Sequence, residues 1–177
     1  AELLLKEYDH DYIKNQVINN NLFGYKVKTS ISKRVSSILK RIGNFDSFLL
    51  NKIVNDSSGD GKVVILYSIY CRDRLFREFM DEFVTQKFRI RETNVEKREV
   101  TSYINNKAET VDKINSFSEQ TRNKLSLVFF NILRDAGLVN TNKDVFKLRN
   151  LYITKELNEY LNKMGEALFL KSIGVSL

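Results

Sequence analysis

SEQTRNKLSLVFFNILRDAG, residues 118–137, contains the clearest helix pattern in the chain. Ser118 is a residue type that caps helix N-termini, and Gly137 is one that ends helices in the left-handed conformation. Between them, apolar residues recur on one helix face: Leu125, Val128, Phe129, Ile132, Leu133 and Ala136. Lys124, Asn131 and Arg134 lie opposite. The pattern predicts a helix that packs by one face and is open to solvent on the other.

The residues after this helix favour a small winged-helix-like part. Leu138-Val139 is followed by a polar turn at 140–144, an apolar stretch at 145–148 and a helix at 155–161 that Thr154 can cap. This order predicts a helix, a small wing and a closing helix. The alternative is a plain helical bundle in which a short extended segment joins two helices.

Helical spacing also dominates the first half of the chain. We expect one helix from Glu2 to about Asn19, with Leu4, Leu5, Tyr8, Tyr12 and Ile13 toward the core. A short helix starts near Asn44 or Asp46, a loop follows at 56–61, and another helix covers 62–83. Proline is absent, which favours uninterrupted helices. The sequence therefore predicts an all-α, compact helical bundle.

The length of 177 residues suits one compact helical domain over residues 1–177. Between Lys87 and Glu99 the charges alternate in sign and apolar residues become sparse, as in a solvent-facing connector. A sub-boundary between an N-terminal bundle and a C-terminal helical or winged part is therefore expected near 87–99.

The net charge of +7 is concentrated in one segment. Between Asp11 and Asp46 no residue is acidic, while seven lysines and arginines supply as much positive charge as the whole chain has in excess. Within this segment Thr29 or Ser30 can cap a helix that ends at Gly43 and buries Ile31, Val35, Ile38, Leu39 and Ile42. A solvated face is one explanation. The one-sided charge favours a surface that neutralises phosphates.

The candidate contacts to nucleic acid are the cations and one hydroxyl on and before this helix: Lys26, Lys28, Lys33, Arg34, Ser37, Lys40 and Arg41. Such side chains bind phosphate oxygens and give affinity with little choice of sequence. A second patch is expected if the C-terminal element contacts DNA: Arg122, Lys124 and Arg134.

Residues with catalytic or metal-binding chemistry are few. His10 is the only histidine and Cys71 the only cysteine, so a zinc site lacks its usual ligands. The loop 56–61 has the start of a calcium-binding pattern but Tyr67 at its twelfth position, and Val63 stands where a phosphate-binding loop needs Ser or Thr. We predict a protein that is not an enzyme and has no metal, no cofactor and no small-molecule substrate.

Two features bear on the compartment. A lone cysteine cannot form an internal disulfide, which suits the reducing cytoplasm. The most apolar stretch, Val63 to Cys71, is far shorter than the ~20 residues of a membrane span, so no membrane contact is expected.

The stretch 119–125 and its continuation 131–139 resemble the C-terminal signature of the BrxA family of bacteriophage exclusion (BREX) systems. The basic helix 30–42 and Arg74-Leu75-Phe76-Arg77-Glu78-Phe79 occur in matching order. The resemblance implies a mostly helical, cytoplasmic protein similar in fold to the antitermination factor NusB. It also implies an accessory protein of phage defence that binds double-stranded DNA and contacts other BREX proteins, without catalytic residues.

Two other functions stay open. The basic face can dock an acidic protein partner in a defence complex and never meet nucleic acid. It can also bind RNA, as an antitermination-like factor does, because a phosphate-binding surface does not by itself distinguish RNA from DNA.

Overall fold

The structure, a computed structural model, describes residues 1–142 and 145–175 of the chain. It is mostly helical with one small sheet, which confirms the all-α prediction. The chain divides into two compact units, Ala1–Arg72 and Asp73–Leu177. The division comes before the segment 87–99, where the sequence led us to expect a sub-boundary.

The first unit contains five helices in its described residues: α1 (Glu2–Leu5), α2 (His10–Asn19), α3 (Lys28–Ile42), α4 (Ser47–Val54) and α5 (Asp60–Arg72). Its core includes Ile13 and Val17 from α2 and Ile31, Val35 and Leu39 from α3. The basic helix predicted from the sequence is α3, and it begins slightly earlier than expected. Val27 is its N-cap, without a side-chain cap, in place of Thr29 or Ser30.

The helix predicted over 2–19 is wrong in its continuity. Glu7 adopts a left-handed conformation (φ 58°), which ends α1, and the Asp9 side chain then caps α2 by accepting a hydrogen bond from the Tyr12 N–H. Tyr8 and Tyr12 are about 40% exposed and stack on each other at 4.4 Å. Their predicted place in the core is wrong, because the break turns both rings toward solvent.

The second unit begins with a helical run whose middle turn is π-helical: α6 (Arg74–Glu78), the π segment Phe79–Val84 and α7 (Thr85–Arg89). Further helices are α8 (Lys97–Thr110), α9 (Asp112–Asn115), α10 (Glu119–Asp135), α11 (Lys155–Lys163) and α12 (Ala167–Ser172). Phe76, Phe79, Phe129 and Leu133 are almost wholly buried in this unit. The prediction of α10 is confirmed in its cap and end, but Val128 is 50% exposed and not in the core.

Three short antiparallel strands complete the second unit: β1 (Asn94–Val95), β2 (Val139–Asn142) and β3 (Val145–Leu148). They lie in the order β1-β3-β2, with Val95 opposite Phe146 and Val139 opposite Leu148. Three helices, α8, α9 and α10, separate β1 from the strands β2 and β3, and α11 follows them. The winged-helix-like part stays a prediction. Residues 143–144 of the predicted polar turn lie outside the described residues.

Candidate nucleic-acid interface

The buried face of α3 orients its cations. Ile31, Val35, Leu39 and Ile42 recur at helical spacing and are all at most 8% exposed. Leu3, Leu4, Ile18, Phe23 and Tyr25 pack around this cluster from the first unit. Because the helix cannot rotate without exposing these residues, the side chains of its opposite face are held toward solvent.

The exposed face of α3 holds most of the predicted basic site. Lys33, Arg34, Ser37, Lys40 and Arg41 are all exposed. Lys33 and Arg41 are about 12 Å apart along the helix axis, enough to reach more than one phosphate of a strand. The fold therefore brings five of the seven predicted residues onto one surface, which we call the α3 face.

The charges of the α3 face are nearly free of protein partners. Among the described residues, Lys33, Lys40 and Arg41 have no ion-pair partner within 4 Å, while Arg34 donates from Nε to the hydroxyl of Tyr25 at 3.4 Å. Lys40 and Arg41 lie in the last helical turn, where the helix dipole favours cations. The dipole accounts for those two charges but not for Lys33, which lies in the first half of the helix.

Lys26 and Lys28 lie at the start of α3. Both side chains are exposed, and Lys28 is the first residue of the helix. A cation at this position is unfavourable, because the N-terminal end of a helix carries partial positive charge. The structure thus gives Lys28 no stabilising role within the fold.

The three cations predicted on α10 differ in their surroundings. Arg122 is half-buried and donates from Nε to Asn105 Oδ1 at 3.0 Å and from Nη1 to the carbonyl of Phe117 at 2.8 Å. Arg134 pairs with its neighbour Asp135 at 3.2 Å. Lys124 is exposed and has no ion-pair partner among the described residues. Only Lys124 of this set is an unengaged cation.

The exposed side of α10 also carries residues that the sequence did not single out as a site. Gln120, Asn123 and Asn131 are exposed amides, and Leu127 and Val128 are about half exposed between them. Amides and small apolar groups are side chains that contact base edges in a major groove. Helical spacing could have placed these residues on one face, whereas the packing of α10 against β2 becomes visible only in the fold.

Two lysines of the second unit, Lys87 and Lys107, are engaged within the fold. Lys87 is only 6% exposed, and its Nζ lies 2.8 Å from Glu92 and 2.6 Å from Glu99. Burial alone would lower the pKa of Lys87, but hydrogen bonds and charges from both carboxylates outweigh burial and raise this pKa. Lys107 likewise pairs with Glu78 at 2.9 Å and Glu82 at 2.7 Å. These lysines join helices and are not available to a ligand.

The side chains that could bind a metal are not grouped in one place in the described chain. Within the described part of the chain, no three His, Cys, Asp or Glu side chains come together as a metal site. In the loop 56–61, Asp56 accepts hydrogen bonds from the N–H groups of Ser58 and Gly59, and Asp60 is fully buried beside Lys52 at 3.1 Å. Both carboxylates stabilise the turn that precedes α5.

Three comparisons place the chain among known proteins. The BrxA family model matches residues 1–165. A protein of Bacillus cereus (strain H3081.97), named "BREX protein BrxA", is 27% identical over 168 residues, which cover 95% of this chain and 84% of that protein. The crystal structure of an uncharacterized protein from Magnetospirillum magneticum matches with a TM-score of 0.78 at 20% identity, covering 99% of this chain and 89% of that one. The last match shows the fold alone.

Proposed function

Because the chain belongs to the BrxA family, we propose that it serves in bacteriophage exclusion by binding double-stranded DNA without catalysing a reaction. The family gives the setting, since the Bacillus cereus relative is named as a BREX protein. DNA as the ligand is our inference from the surface. The cytoplasm and contacts with other BREX proteins belong to the same proposal. Among the described residues, no helix is both long and apolar enough to cross a bilayer.

The observation that carries the proposal is the α3 face. A buried apolar stripe holds Lys33, Lys40 and Arg41 toward solvent without carboxylate partners in the described chain. Like charges on one helix face repel each other, so this arrangement opposes folding unless a ligand neutralises it. Phosphates do so and release counterions, while the hydroxyl of Ser37 can donate to a phosphate oxygen.

The exposed side of α10 supports DNA over other polyanions. In helix-turn-helix proteins the second of two helices enters the major groove. Here α10 follows α8 and the short helix α9, and it leads into the strands β2 and β3. Lys124 supplies a phosphate contact on that side, and the amides of Asn123 and Asn131 suit base edges. Arg122 and Arg134 remain in the proposed site as weaker contributors, because both already have protein partners.

Salt-dependent binding of a short random-sequence duplex tests the proposal. We expect the variant Lys33→Glu/Lys40→Glu/Arg41→Glu to lose binding across the salt series. Replacing the same three residues by alanine would lower the slope of log K against log salt by about 0.9 per lost contact, roughly 2.7 in all. Fluorescence anisotropy of the labelled duplex gives both quantities.

A matched control variant has the same change in net charge, but its substitutions are at other positions. Lys62, Lys113 and Lys163 are exposed and lie outside both proposed surfaces, so their triple change to glutamate should weaken binding far less. Equal losses of affinity in the two triple variants would show a general charge effect and refute the α3 face as the binding surface.

Competition with structured RNA tests whether the ligand is DNA or RNA. RNA that displaces the duplex at lower concentration would favour the antitermination-like function.

Binding only to an acidic protein, with no affinity for DNA or RNA, would instead support the docking function. Affinity capture of other BREX proteins in the presence of nuclease separates this outcome from DNA-bridged association. The same charge variants then report whether the α3 face is the docking surface.

A further inference from the structure

A cleft of about 660 Å³ opens on the second unit. Its walls are the end of α7, the residues that lead into β1, the segment after β3 and the residues that follow α12. Its volume lies within the range of roughly 300–1,000 Å³ that is usual for sites of small ligands and cofactors.

The charge of the cleft has one sign. Arg89, Arg91 and Lys171 line it, and no carboxylate of the described residues does. In the described chain none of these three side chains has an ion-pair partner within 4 Å. The neighbouring Lys87, by contrast, is neutralised by two glutamates. Three unneutralised cations around a concave site favour an anion with several charges, and arginine in particular suits phosphate oxygens.

The remaining walls supply hydrogen-bond donors and one aromatic surface. The amide of Asn150 and the hydroxyl of Thr93 have no hydrogen-bond partner among the described residues, so both can donate to a ligand. The Thr85 hydroxyl already donates to the Met80 carbonyl, so it offers only its oxygen. Phe88 is half-buried in the wall and offers an apolar face. The cleft therefore suits a ligand with an anionic end and a planar or apolar end.

The backbone at Arg91 is strained for an arginine. Its φ is 55°, the left-handed conformation that favours glycine, and it closes α7 through hydrogen bonds from Arg91 N–H to Phe88 and from Glu92 N–H to Lys87. A side chain in this conformation costs about 1 kcal/mol relative to glycine. An unpaired cation kept at this cost indicates a role other than stabilising the fold.

The cleft lies at the end of the sheet where Leu148 pairs with Val139. Thr93 accepts a hydrogen bond from the Leu148 N–H, and Leu148 pairs with Val139 at the base of the hairpin, whereas the connection follows Asn142. Strand rise separates the two ends by roughly 10 Å over the four-residue ladder. A ligand in the cleft therefore lies at the opposite end of this ladder from the pair Asn142 and Val145.

We propose that this cleft binds a small phosphorylated ligand of nucleotide size. Arg89, Arg91 and Lys171 hold its phosphates, Asn150 and Thr93 donate to its oxygens, and Phe88 packs against its organic part. The proposal is independent of DNA binding by the α3 face, and the two can fail separately.

Isothermal titration of the full chain with ATP, inorganic pyrophosphate and adenosine tests this site. We expect ATP and pyrophosphate to bind and adenosine to bind at least about tenfold more weakly, because it lacks the anionic end. Arg89→Ala and Lys171→Ala should each weaken ATP binding about tenfold. The matched controls Arg98→Ala and Lys155→Ala change exposed cations outside the cleft and should alter affinity less than about twofold.

The variant Arg91→Gly separates binding from folding. Glycine relieves the left-handed strain, so this variant should be at least as stable as the wild type to denaturant and yet bind ATP about tenfold more weakly. Absence of ATP and pyrophosphate binding by the wild type would refute the site, as would equal losses in the cleft variants and their controls. If Arg89→Ala weakens duplex binding while no free nucleotide binds, the cleft holds a DNA phosphate and the small-ligand proposal is wrong.

Discussion

The guanidinium of Arg122 donates a 3.0 Å hydrogen bond from Nε to the Oδ1 of Asn105, which joins the first turn of α10 to α8. A second hydrogen bond, to the carbonyl of Phe117, fixes the same side chain to the residues before α10. Arg122 therefore links the start of α10 both to α8 and to the residues that precede α10. Its neighbour Lys124 makes no such contact and is exposed.

Arg122→Ala and Lys124→Ala should consequently have different effects. Loss of two hydrogen bonds from a charged, half-buried group should lower the free energy of unfolding by about 2 kcal/mol. Lys124→Ala should leave stability within about 0.5 kcal/mol and reduce the salt slope of DNA binding by about 1. Urea unfolding and anisotropy titrations measure the two effects. A large loss of stability in Lys124→Ala would contradict this division of roles.

Gly43→Ala tests the contact between the end of α3 and α2. Gly43 has an ordinary helical φ of −66°, so alanine is allowed by the backbone. A Cβ there would lie 2.6 Å from the His10 ring and 2.5 Å from the Leu39 carbonyl oxygen. We expect a loss of about 1–3 kcal/mol in the free energy of unfolding because the overpacked residues must shift. Adding His10→Ala to Gly43→Ala should recover part of the lost free energy of unfolding. If denaturant unfolding shows that the effects of the two substitutions simply add, this explanation is wrong.

The sequence predicted those elements whose signals are local. The spacing of Ile31, Val35 and Leu39 gave α3 and its buried face, and Ser118 and Gly137 gave the bounds of α10. Of the two starts expected for α4, near Asn44 or Asp46, the structure has Asp46 as the N-cap, accepting from the Leu49 N–H at 3.0 Å. Each of these features depends on residues within about one helical turn of each other, so the amino-acid pattern alone predicts it.

Features that depend on distant partners could not be derived in this way. Lys87 looked like a solvent-facing residue of a charged connector, but the fold brings Glu99 against it and buries the lysine. β1 consists of two residues that pair with Lys147 and Phe146 of β3, and such a pairing leaves no pattern in so short a segment. The break at Glu7 had a readable sign in Asp9, a good N-cap, but the apolar spacing across it suggested one continuous helix.

Acid should weaken the second unit through Glu99. Burial alone would raise the pKa of this carboxyl, but hydrogen bonds from Lys87 and from the Glu96 N–H outweigh burial and hold the pKa below its usual value. A lowered folded-state pKa contributes stability above the ordinary value of about 4.3, and this contribution is lost as pH falls through the folded-state value. Glu99→Gln should therefore lose less stability than the wild type between about pH 6 and about pH 3.

Denaturant unfolding over that pH range gives the comparison, with Glu109→Gln as a control because Glu109 is an exposed residue of the same helix. The Glu109 variant should follow the wild-type acid profile. A Glu99→Gln profile that also follows the wild type would show that the Lys87 contact contributes no acid-labile stability.

Single substitutions on the α3 face and on α10 should distinguish contacts to phosphates from contacts to bases. Lys40→Ala on the α3 face removes a charge that does not depend on sequence, so it should weaken all duplexes about equally and lower the salt slope by about 1. Asn131→Ala on α10 removes an amide and no charge, so it should leave the salt slope unchanged. If α10 contacts base edges, Asn131→Ala should narrow the affinity difference between selected and random duplexes by about 1–3 kcal/mol. To measure this, the duplexes that the wild type binds are selected from a random pool, and fluorescence anisotropy then gives their affinity for both variants. If Asn131→Ala loses affinity equally for selected and random duplexes, α10 makes only contacts that do not depend on sequence.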